Sequence, residues 1–426
     1  MKKIGILVAA SLLLAGCEVS TMGGGLGSDS TKVTLGDESI IGKTGKSDYK
    51  TVANTPTKVA GSTEGSTTTT TDCGCGTTGT QTSTAPTKVA GQITAGEWND
   101  LANWGFWTTL NTNADFSQYA TYWSYNLNNR ISVHVTQQGT AQVDAQVELL
   151  NSDGRVLWTA RTDNKGNAEL WPTVVGDGQS STTGLRARIG TQIFESIKVN
   201  GQGGTNNLAI ETGSGIPSAI DVGFMVDATG SMDDELDYLK EELKDVIDQA
   251  RIKNGNAVIN TGAVFYRDRG DAYVTDVSDF TSSNSTTASF VAAHSAGGGG
   301  DYPEAVHTAL DVSLSSLKWS SSAKARILFI VLDAPPHYEQ SIVSKLHELV
   351  RAASAKGVRI IPIACSGVDK DTEFLLRYMA IATGGTYVFV TDDSGIGGTH
   401  LVASVGDYRV EYLNALMVRL IGERIK

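Results

Sequence analysis

Residues 220–231 read IDVGFMVDATGS, and this stretch decides the fold of the second half of the 426-residue chain. An apolar run ends on Asp227, Thr229 and Ser231, directly before a run with helical spacing. In an extended or turn-like segment, alternate side chains point to one side, so the three residues offer oxygen ligands to one hard cation. Ser231 with Asp234 also fits a helix capping box, and the motif alone leaves both interpretations open.

The rest of the second half alternates short apolar runs with helical patterns. The apolar runs are at 220–226, 260–266, 326–332, 359–364 and 386–390, and the helical patterns are near 233–252, 303–316, 339–356, 371–383 and 405–424. Strands that alternate with helices form parallel sheets covered on both faces. The pattern predicts an α/β fold with a Rossmann-like, doubly wound, mostly parallel sheet over residues 216–426.

Two further acidic residues occupy predicted strand-to-helix crossings. Asp301 lies in a glycine-rich loop before Pro303, and Asp333 ends the run ILFIVL before two prolines. In such folds the carboxyl ends of the strands meet at one edge and carry the ligands. One such aspartate is usually a helix N-cap, but three at one edge are better explained by a bound cation.

Together these motifs resemble the von Willebrand factor A (VWA) domain and its metal-ion-dependent adhesion site. The family's D-x-S-x-S motif matches Asp227, Thr229 and Ser231, its second-loop threonine corresponds to Asp301, and its later aspartate corresponds to Asp333. The stretches YRDRGDAYVT, GGGGDYPEAV and LDAPPH are similar to a bacterial branch of the family.

The resemblance implies that Thr229 and Ser231 bind Mg²⁺ directly and that Asp227 and Asp333 bind it directly or through water. It also implies one open coordination position, which a carboxylate from a partner fills in adhesive members of the family. Mn²⁺ and Ca²⁺ are alternatives, because both also take oxygen ligands. Asp301 in place of threonine adds negative charge, which weakens the pull of the cation on an external carboxylate. Asp301 is therefore expected to act through water or as a built-in ligand in a resting state.

Other polar residues near these loops are expected to have structural roles. His294, His307 and His337 match no zinc motif in their spacing. Asp268 and Asp271 are interpreted as charges of a solvated turn, with a place at the rim of the site as the alternative. Glu304 is interpreted as a first-turn helix residue rather than a ligand.

The N-terminus, MKKIGILVAASLLLAGC, has the features of an export signal. Its end, Leu14-Ala15-Gly16-Cys17, resembles the lipobox of bacterial lipoproteins and makes Cys17 the predicted lipidation site; an ordinary signal peptide is the alternative. Glu18 follows where inner-membrane retention requires Asp, so an outer-membrane lipoprotein is expected, with surface exposure left open. No later run reaches the roughly 18 apolar residues of a membrane span.

The first half divides by composition. Residues 18–91 are rich in Gly, Ser and Thr and are predicted to be a disordered linker. Residues 92–129 form an aromatic-rich connecting segment whose tryptophans either cover the apolar face of the next domain or form a sugar-stacking surface. Residues 130–200 contain short strand-like runs between turn signals, and this pattern predicts a β-sandwich. The pattern resembles transthyretin-like or carboxypeptidase-regulatory-like modules. Residues 201–215 are predicted to be a hinge.

The net charge and the motifs limit the classes of function that this chain can have. A net charge of −12 argues against a nucleic-acid partner, because phosphate binding needs clustered cationic residues. The first hypothesis is a non-enzymatic, lipid-anchored envelope protein that binds a protein or cell-surface ligand through its cation, with the sandwich as a stalk. The alternatives are a metal-assisted hydrolase, which lacks a recognisable nucleophile motif here, and a scaffold whose loops the metal stabilises.

Overall fold

The apolar runs of the second half form the centre of a large sheet in the computed structural model, which describes residues 88–174, 181–199, 204–255 and 257–426. In chain order, the strands of these ranges are β1 (Thr94–Trp98), β2 (Ile131–Gln137), β3 (Thr140–Ala141), β4 (Gln146–Leu150), β5 (Val156–Arg161), β6 (Asn167–Leu170), β7 (Arg186–Ile189), β8 (Gln192–Phe194), β9 (Thr205–Ala209), β10 (Ile220–Asp227), β11 (Asn260–Tyr266), β12 (Thr275–Thr281), β13 (Ala325–Leu332), β14 (Val358–Ala364), β15 (Tyr387–Val390) and β16 (Val410–Tyr412). The helices are α1 (Trp104–Leu110), α2 (Ala114–Tyr122), α3 (Leu236–Lys253), α4 (Asn284–Ala292), α5 (Val306–Ser315), α6 (Gln340–Lys356), α7 (Lys370–Thr383) and α8 (Leu413–Ile425).

The large sheet has eight strands in the order β12-β11-β10-β13-β14-β15-β1-β16. The five strands from β11 to β15 in this order run parallel, while β12 and β1 run antiparallel to their neighbours. One face packs against α3 and α8, and the other packs against α5, α6 and α7. Strands buried on both faces are largely apolar, as β10 and β13 are between the buried charges Asp221 and Arg326 near their starts and Asp227 at the end of β10. The predicted fold class is confirmed.

The helices of this domain follow the predicted spacing closely, and three short elements were missed. The helical spacing near 233–252 places one apolar stripe on α3, and this stripe is buried; it consists of Leu236, Leu239, Leu243, Val246, Ile247 and Ala250. The missed elements are β12, α4 and β16, which carry many polar residues and are only partly buried. The last helix begins at Leu413 rather than near 405.

Residues 92–129 are more than a connection, which corrects the sequence interpretation. Their strand β1 lies inside the large sheet, between β15 and β16. Trp104, Trp107 and Trp123 are buried in one core with residues of the sandwich and of the large domain. Trp107 stacks on Phe374 of α7, with ring centroids 5.4 Å apart. These indoles are therefore core residues, and a sugar-stacking surface made of them is excluded.

A buried ion pair joins this segment to α7. Both carboxylate oxygens of Asp100 accept from Arg377, at 2.9 and 2.6 Å, and Arg377 is fully buried. Glu373, one turn earlier on α7, also lies beside the guanidinium. A buried arginine is tolerated only when carboxylates compensate its charge, so the position of residues 98–100 is fixed by this pair.

The predicted sandwich is present as two four-stranded sheets, one of β3, β2, β6 and β9 and one of β5, β4, β7 and β8. Alternate residues of β2 and β6 face the core, as the alternation in sequence required. Strand β9 lies within the range predicted to be a hinge and pairs in parallel with β2. The boundary of the sandwich thus extends beyond residue 200, to Ala209.

The sandwich packs directly on the large domain, which contradicts its expected role as a separate stalk. Asp144 accepts two hydrogen bonds from Arg326, at 2.7 and 3.0 Å, and a third from the backbone N–H of Ala323. On α6, Arg351 donates to the carbonyl of Leu157 and lies over the ring of Trp158. Both sides contribute to one core, so the sandwich and the large domain hold a fixed relative position.

Two predictions concern residues outside the described ranges: the lipidated Cys17 with its signal sequence, and the linker up to residue 87. Within the described ranges, no helix combines the length and apolar character that crossing a membrane requires.

Replacing Arg377 with Met should destabilise the fold by about 3–5 kcal/mol, because Asp100 would be left as an uncompensated buried charge, whereas Glu373 keeps its pair with Lys370. Unfolding in guanidinium chloride measures the loss. The control is Arg409→Met, which removes an exposed pair with Glu411 and should change stability by about 1 kcal/mol or less. Equal effects of the two substitutions would contradict a structural role for the buried pair.

Candidate metal centre

The D-x-T-x-S motif follows β10 at the carboxyl edge of the sheet. Asp227 and Thr229 are buried, and Ser231 is exposed. The backbone N–H and the hydroxyl of Thr229 donate to Oδ1 of Asp227, at 2.9 and 2.7 Å, and the hydroxyls of Thr229 and Ser231 are 3.2 Å apart. The three predicted oxygen ligands therefore lie together, as their alternate spacing predicted.

The competing capping-box interpretation is not supported. The chain passes from the motif through a 3₁₀ turn, Gly230–Asp234, into α3, and no side chain caps either helical start. The side-chain oxygen of Ser231 thus caps neither helical start and is available to a ligand.

Asp333 follows β13 and is buried beside the motif. Val226 of β10 pairs with Val331 of β13, so Asp227 and Asp333 leave neighbouring strands at almost the same level. Oδ2 of Asp227 and Oδ1 of Asp333 are buried and have no hydrogen-bond partner within the described part of the chain. Buried carboxylate oxygens of this kind are costly unless a cation or a proton binds them.

Asp227 and Asp333 form a cluster of buried carboxylates, and the glycine-rich loop adds Glu304 to it. Asp301 is exposed and forms no hydrogen bond or ion pair with the residues that the structure describes. Glu304 is 2% exposed, its backbone N–H donates to the carbonyl of Pro335, and its Oε2 is a further buried oxygen without a partner among the described residues. The structure thus brings Glu304, and not Asp301, against Asp227 and Asp333.

Glycine is required where this loop crosses the motif. The backbone N–H of Gly230 donates to the carbonyl of Gly298, and Gly299 has a φ of +70°. A Cβ on Gly299 would lie 3.0 Å from Oε1 of Glu304 and 3.4 Å from Cβ of Thr229. The run of glycines therefore allows the loop to lie close against the cluster.

The loop after β11 supports the glycine loop from outside, which also corrects the sequence interpretation of its aspartates. Asp271 accepts a hydrogen bond from the backbone N–H of Gly299 at 2.9 Å. Asp268 is buried, and its Oδ1 lies 2.7 Å from Nε2 of His337. Both residues hold loops of the cluster and are not charges of a solvated turn. The sequence favoured a solvated turn over the rim of the site for Asp268, and a first-turn helix residue over a ligand for Glu304; the one signal for Glu304 was its position next to the apolar Ala305–Val306 pair.

The cluster concentrates negative charge away from water. Burial raises the pKa of Asp227 to about 6, although hydrogen bonds from Thr229 act in the opposite direction. Burial and then the charge of Asp227 raise the pKa of Asp333 to about 7. Burial, followed by the charges of Asp227 and Asp268, raises the pKa of Glu304 to about 9. All three carboxyl groups thus favour a bound proton, or a cation in its place.

The donor set fits a hard divalent cation. Two carboxylates and two hydroxyls offer only oxygen, which Mg²⁺, Mn²⁺ and Ca²⁺ prefer. Across the described ranges, His, Cys, Asp and Glu side chains alone form no group of three or more arranged to hold a metal ion. Any cation at this edge would therefore depend on the hydroxyls of Thr229 and Ser231 as well as on the carboxylates.

Comparison with known proteins agrees with the fold. Residues 221–399 match the family of the von Willebrand factor type A domain, so the chain contains a VWA domain that includes the whole carboxylate cluster. Domains of this family commonly mediate protein interactions.

Two curated relatives are each 33% identical to part of the chain. One is an ariadne-like RING finger protein of Acanthamoeba polyphaga mimivirus, aligned over 124 residues, which are 29% of this chain and 12% of the relative. The other is the alpha-protein kinase vwkA of Dictyostelium discoideum, aligned over 120 residues, which are 28% of this chain and 19% of the relative. The chain thus spans less than a fifth of the length of either protein.

Two solved structures from Bacteroides are similar at lower identity. BatB of Bacteroides thetaiotaomicron is 15% identical with a TM-score of 0.32, and the match covers 40% of this chain and 90% of that one. An aerotolerance-related membrane protein of Bacteroides fragilis, carrying multiple mutations to serine, is 14% identical with a TM-score of 0.33, and the match covers 48% of this chain and 98% of that one.

The metal-free protein should lose stability as the pH rises from 5 to 8. The unfolded carboxyl groups ionise near pH 4, whereas the folded ones hold their protons up to pH values near 6, 7 and 9 for Asp227, Asp333 and Glu304. At a pH between the pKa of the unfolded group and that of the folded group, the folded state binds more protons than the unfolded state. The free energy of unfolding therefore falls as the pH rises through this range. Denaturant unfolding in EDTA at several pH values measures this slope.

The matched variant is Asp333→Asn, which removes one of the three ionisations and should make the slope shallower. An unchanged slope in this variant would assign the pH dependence to groups elsewhere.

Proposed function

We propose that the VWA domain binds a divalent cation through Asp227, Thr229, Ser231 and Asp333 and uses it to hold a partner protein or surface ligand. The observation that carries this proposal is the pair of buried, unpartnered oxygens on Asp227 and Asp333 beside two hydroxyls. Mg²⁺ is the proposed ion. When bound, it would supply a positive charge at the exposed end of the sheet, where an acidic group of the partner can complete its coordination.

Glu304 has a specific place in this proposal. Its carboxyl group is buried against the cluster, at the side where the glycine loop covers the motif. An ionised Glu304 would compete with an external carboxylate for the same cation, and a protonated Glu304 would not. The built-in ligand expected at Asp301 is therefore assigned to Glu304 in this proposal, and binding of a partner would require its displacement or protonation.

Binding is proposed in preference to catalysis. The cluster offers oxygen ligands and no recognisable nucleophile, and the domain family commonly mediates protein interactions. A role for the metal in stability alone predicts that chelation lowers the melting temperature without affecting any partner.

Mg²⁺ should bind the full-length chain with an affinity that Asp227→Asn abolishes, because this change removes a buried ligand charge. Isothermal titration calorimetry measures the affinity. The matched control is Asp301→Asn, which removes an exposed carboxylate of the adjacent loop and should leave the affinity unchanged. If Asp301→Asn abolished binding and Asp227→Asn did not, the ligand assignment would be wrong.

Partner capture should depend on the same residues. Crosslinking in intact cell envelopes should give a product with Mg²⁺ that is lost in EDTA and in Asp227→Asn, and retained in Asp301→Asn. A crosslinking pattern that is identical in all four conditions would remove the metal site from recognition. Metal-dependent turnover of phosphate or ester substrates, lost in Asp227→Asn, would instead support the hydrolase alternative.

We also propose that the chain is a lipoprotein of the outer membrane, attached through Cys17. The support is the lipobox-like sequence before Cys17 and the Glu at position 18. Replacing Cys17 with Ser should move the protein from the membrane fraction to the soluble periplasmic fraction, because lipid would be its only anchor. Retention of the variant in the membrane fraction would show another mode of attachment.

A further inference from the structure

A second polar site lies at the opposite edge of the large sheet. The cleft is bounded by the sandwich strands β2, β6 and β9, the loop 99–102, the start of β14 and the end of α8, and its volume is about 310 Å³. Three arginines line it: Arg130, Arg359 and Arg424. Its volume is at the lower end of the range for small-molecule sites.

Arg359 differs from the other deeply buried arginines. Among the described residues, three arginines are more than nine-tenths buried: Arg326, Arg359 and Arg377. Arg326 is paired with Asp144, and Arg377 with Asp100. Arg359 donates only to the carbonyls of Thr383 and Arg161, at 2.7 and 2.6 Å, and forms no ion pair with a carboxylate that the structure describes. Its charge is therefore buried without a direct ion pair, and the carboxylates of Asp163 and Glu169 compensate it only from a longer distance, which leaves its burial costly.

The acidic residues of the cleft are already engaged. Glu169 accepts two hydrogen bonds from Arg130, both at 2.8 Å, which closes that pair. Asp163 accepts from the backbone N–H groups of Lys165 and Asn167 and lies 3.7 Å from Arg424. The lining thus carries three positive and two negative groups, and the excess positive charge belongs to Arg359.

We propose that this cleft binds a small oxyanion, a carboxylate or phosphate group, with Arg359 as its principal ligand and Arg424 as the second. A guanidinium has five N–H donors in a planar fork that matches the oxygens of either group. Only two of those of Arg359 are accounted for by the carbonyls of Thr383 and Arg161. The amides of Asn99 and Asn167 and the hydroxyl of Thr205 also line the cleft and can contact the remainder of the ligand.

The position of the cleft gives such a ligand a structural effect. The cleft is formed jointly by the sandwich, by the segment before it and by the large domain, so an occupant would contact all three. The site is independent of the metal centre, because Arg359 is the second residue of β14, at the amino edge of the sheet, while Asp333 follows β13 at the carboxyl edge.

Isothermal titration calorimetry of the full-length chain tests the proposal, with inorganic phosphate and citrate as separate probes at constant ionic strength. At least one probe should bind saturably to one site. Arg359→Gln should weaken its affinity by about tenfold or more, since hydrogen bonds to a charged group are lost. If only phosphate binds, the ligand carries a phosphoryl group, and if only citrate binds, it carries a carboxylate. If neither probe binds, the proposal is overturned.

Two further variants separate loss of the ligand site from loss of the fold. Ala102→Glu places a negative charge at an exposed position of the cleft lining and should weaken anion binding without touching Arg359. Arg409→Gln removes an exposed arginine away from the cleft and should leave binding unchanged. Binding that survives both Arg359→Gln and Ala102→Glu, or that is weakened equally by Arg409→Gln, would refute the site.

Discussion

The parallel register of β10 and β13 is the constraint on which the metal centre depends. Val226 of β10 pairs with Val331 of β13. Asp227 is the next residue of β10, and Asp333 comes two residues after Val331, directly after the end of β13. Adjacent strands are about 4.8 Å apart, so both carboxyl groups must leave the sheet side by side in a place that the surrounding loops close to water. Their raised pKa values, the glycine loop above them and the position of Glu304 all follow from this placement.

Sequence reasoning recovered the parts of the fold that are set by local pattern. Short, largely apolar runs such as those of β10 and β13, bounded by turns, indicate interior strands, and the apolar stripe of α3 indicates a helix face packed on a sheet. Strand β1 could not be recovered this way, because TAGEW is short and mixed, and its partner Tyr387–Val390 lies almost three hundred residues further along the chain. Glu304 was misjudged for a related reason, since its burial depends on Pro335 and Gly299, which belong to other segments.

The sandwich is placed where it leaves the metal centre accessible. Its main polar contacts involve Arg326 at the start of β13 and Arg359 at the start of β14, which both lie at the amino edge of the sheet. The carboxyl edge, with Asp227, Ser231 and Asp333, is left to the loops of the VWA domain itself. An arrangement in which the sandwich only separates the domain from a membrane would not need the buried Asp144–Arg326 pair, so the two parts are better regarded as one rigid body.

One buried glutamate determines how the chain enters this body. Glu242 of α3 accepts from the backbone N–H groups of Gly91, Gln92 and Ile93, immediately before β1 begins at the carboxyl edge. A mechanical force on the chain upstream of Gly91 would pull β1 along its own axis, while β15 and β16 hold it on both sides. Its hydrogen bonds would then be loaded together in shear and not broken one at a time by peeling. An attachment at the N-terminus would transmit such a force to the same edge of the sheet that carries the metal centre.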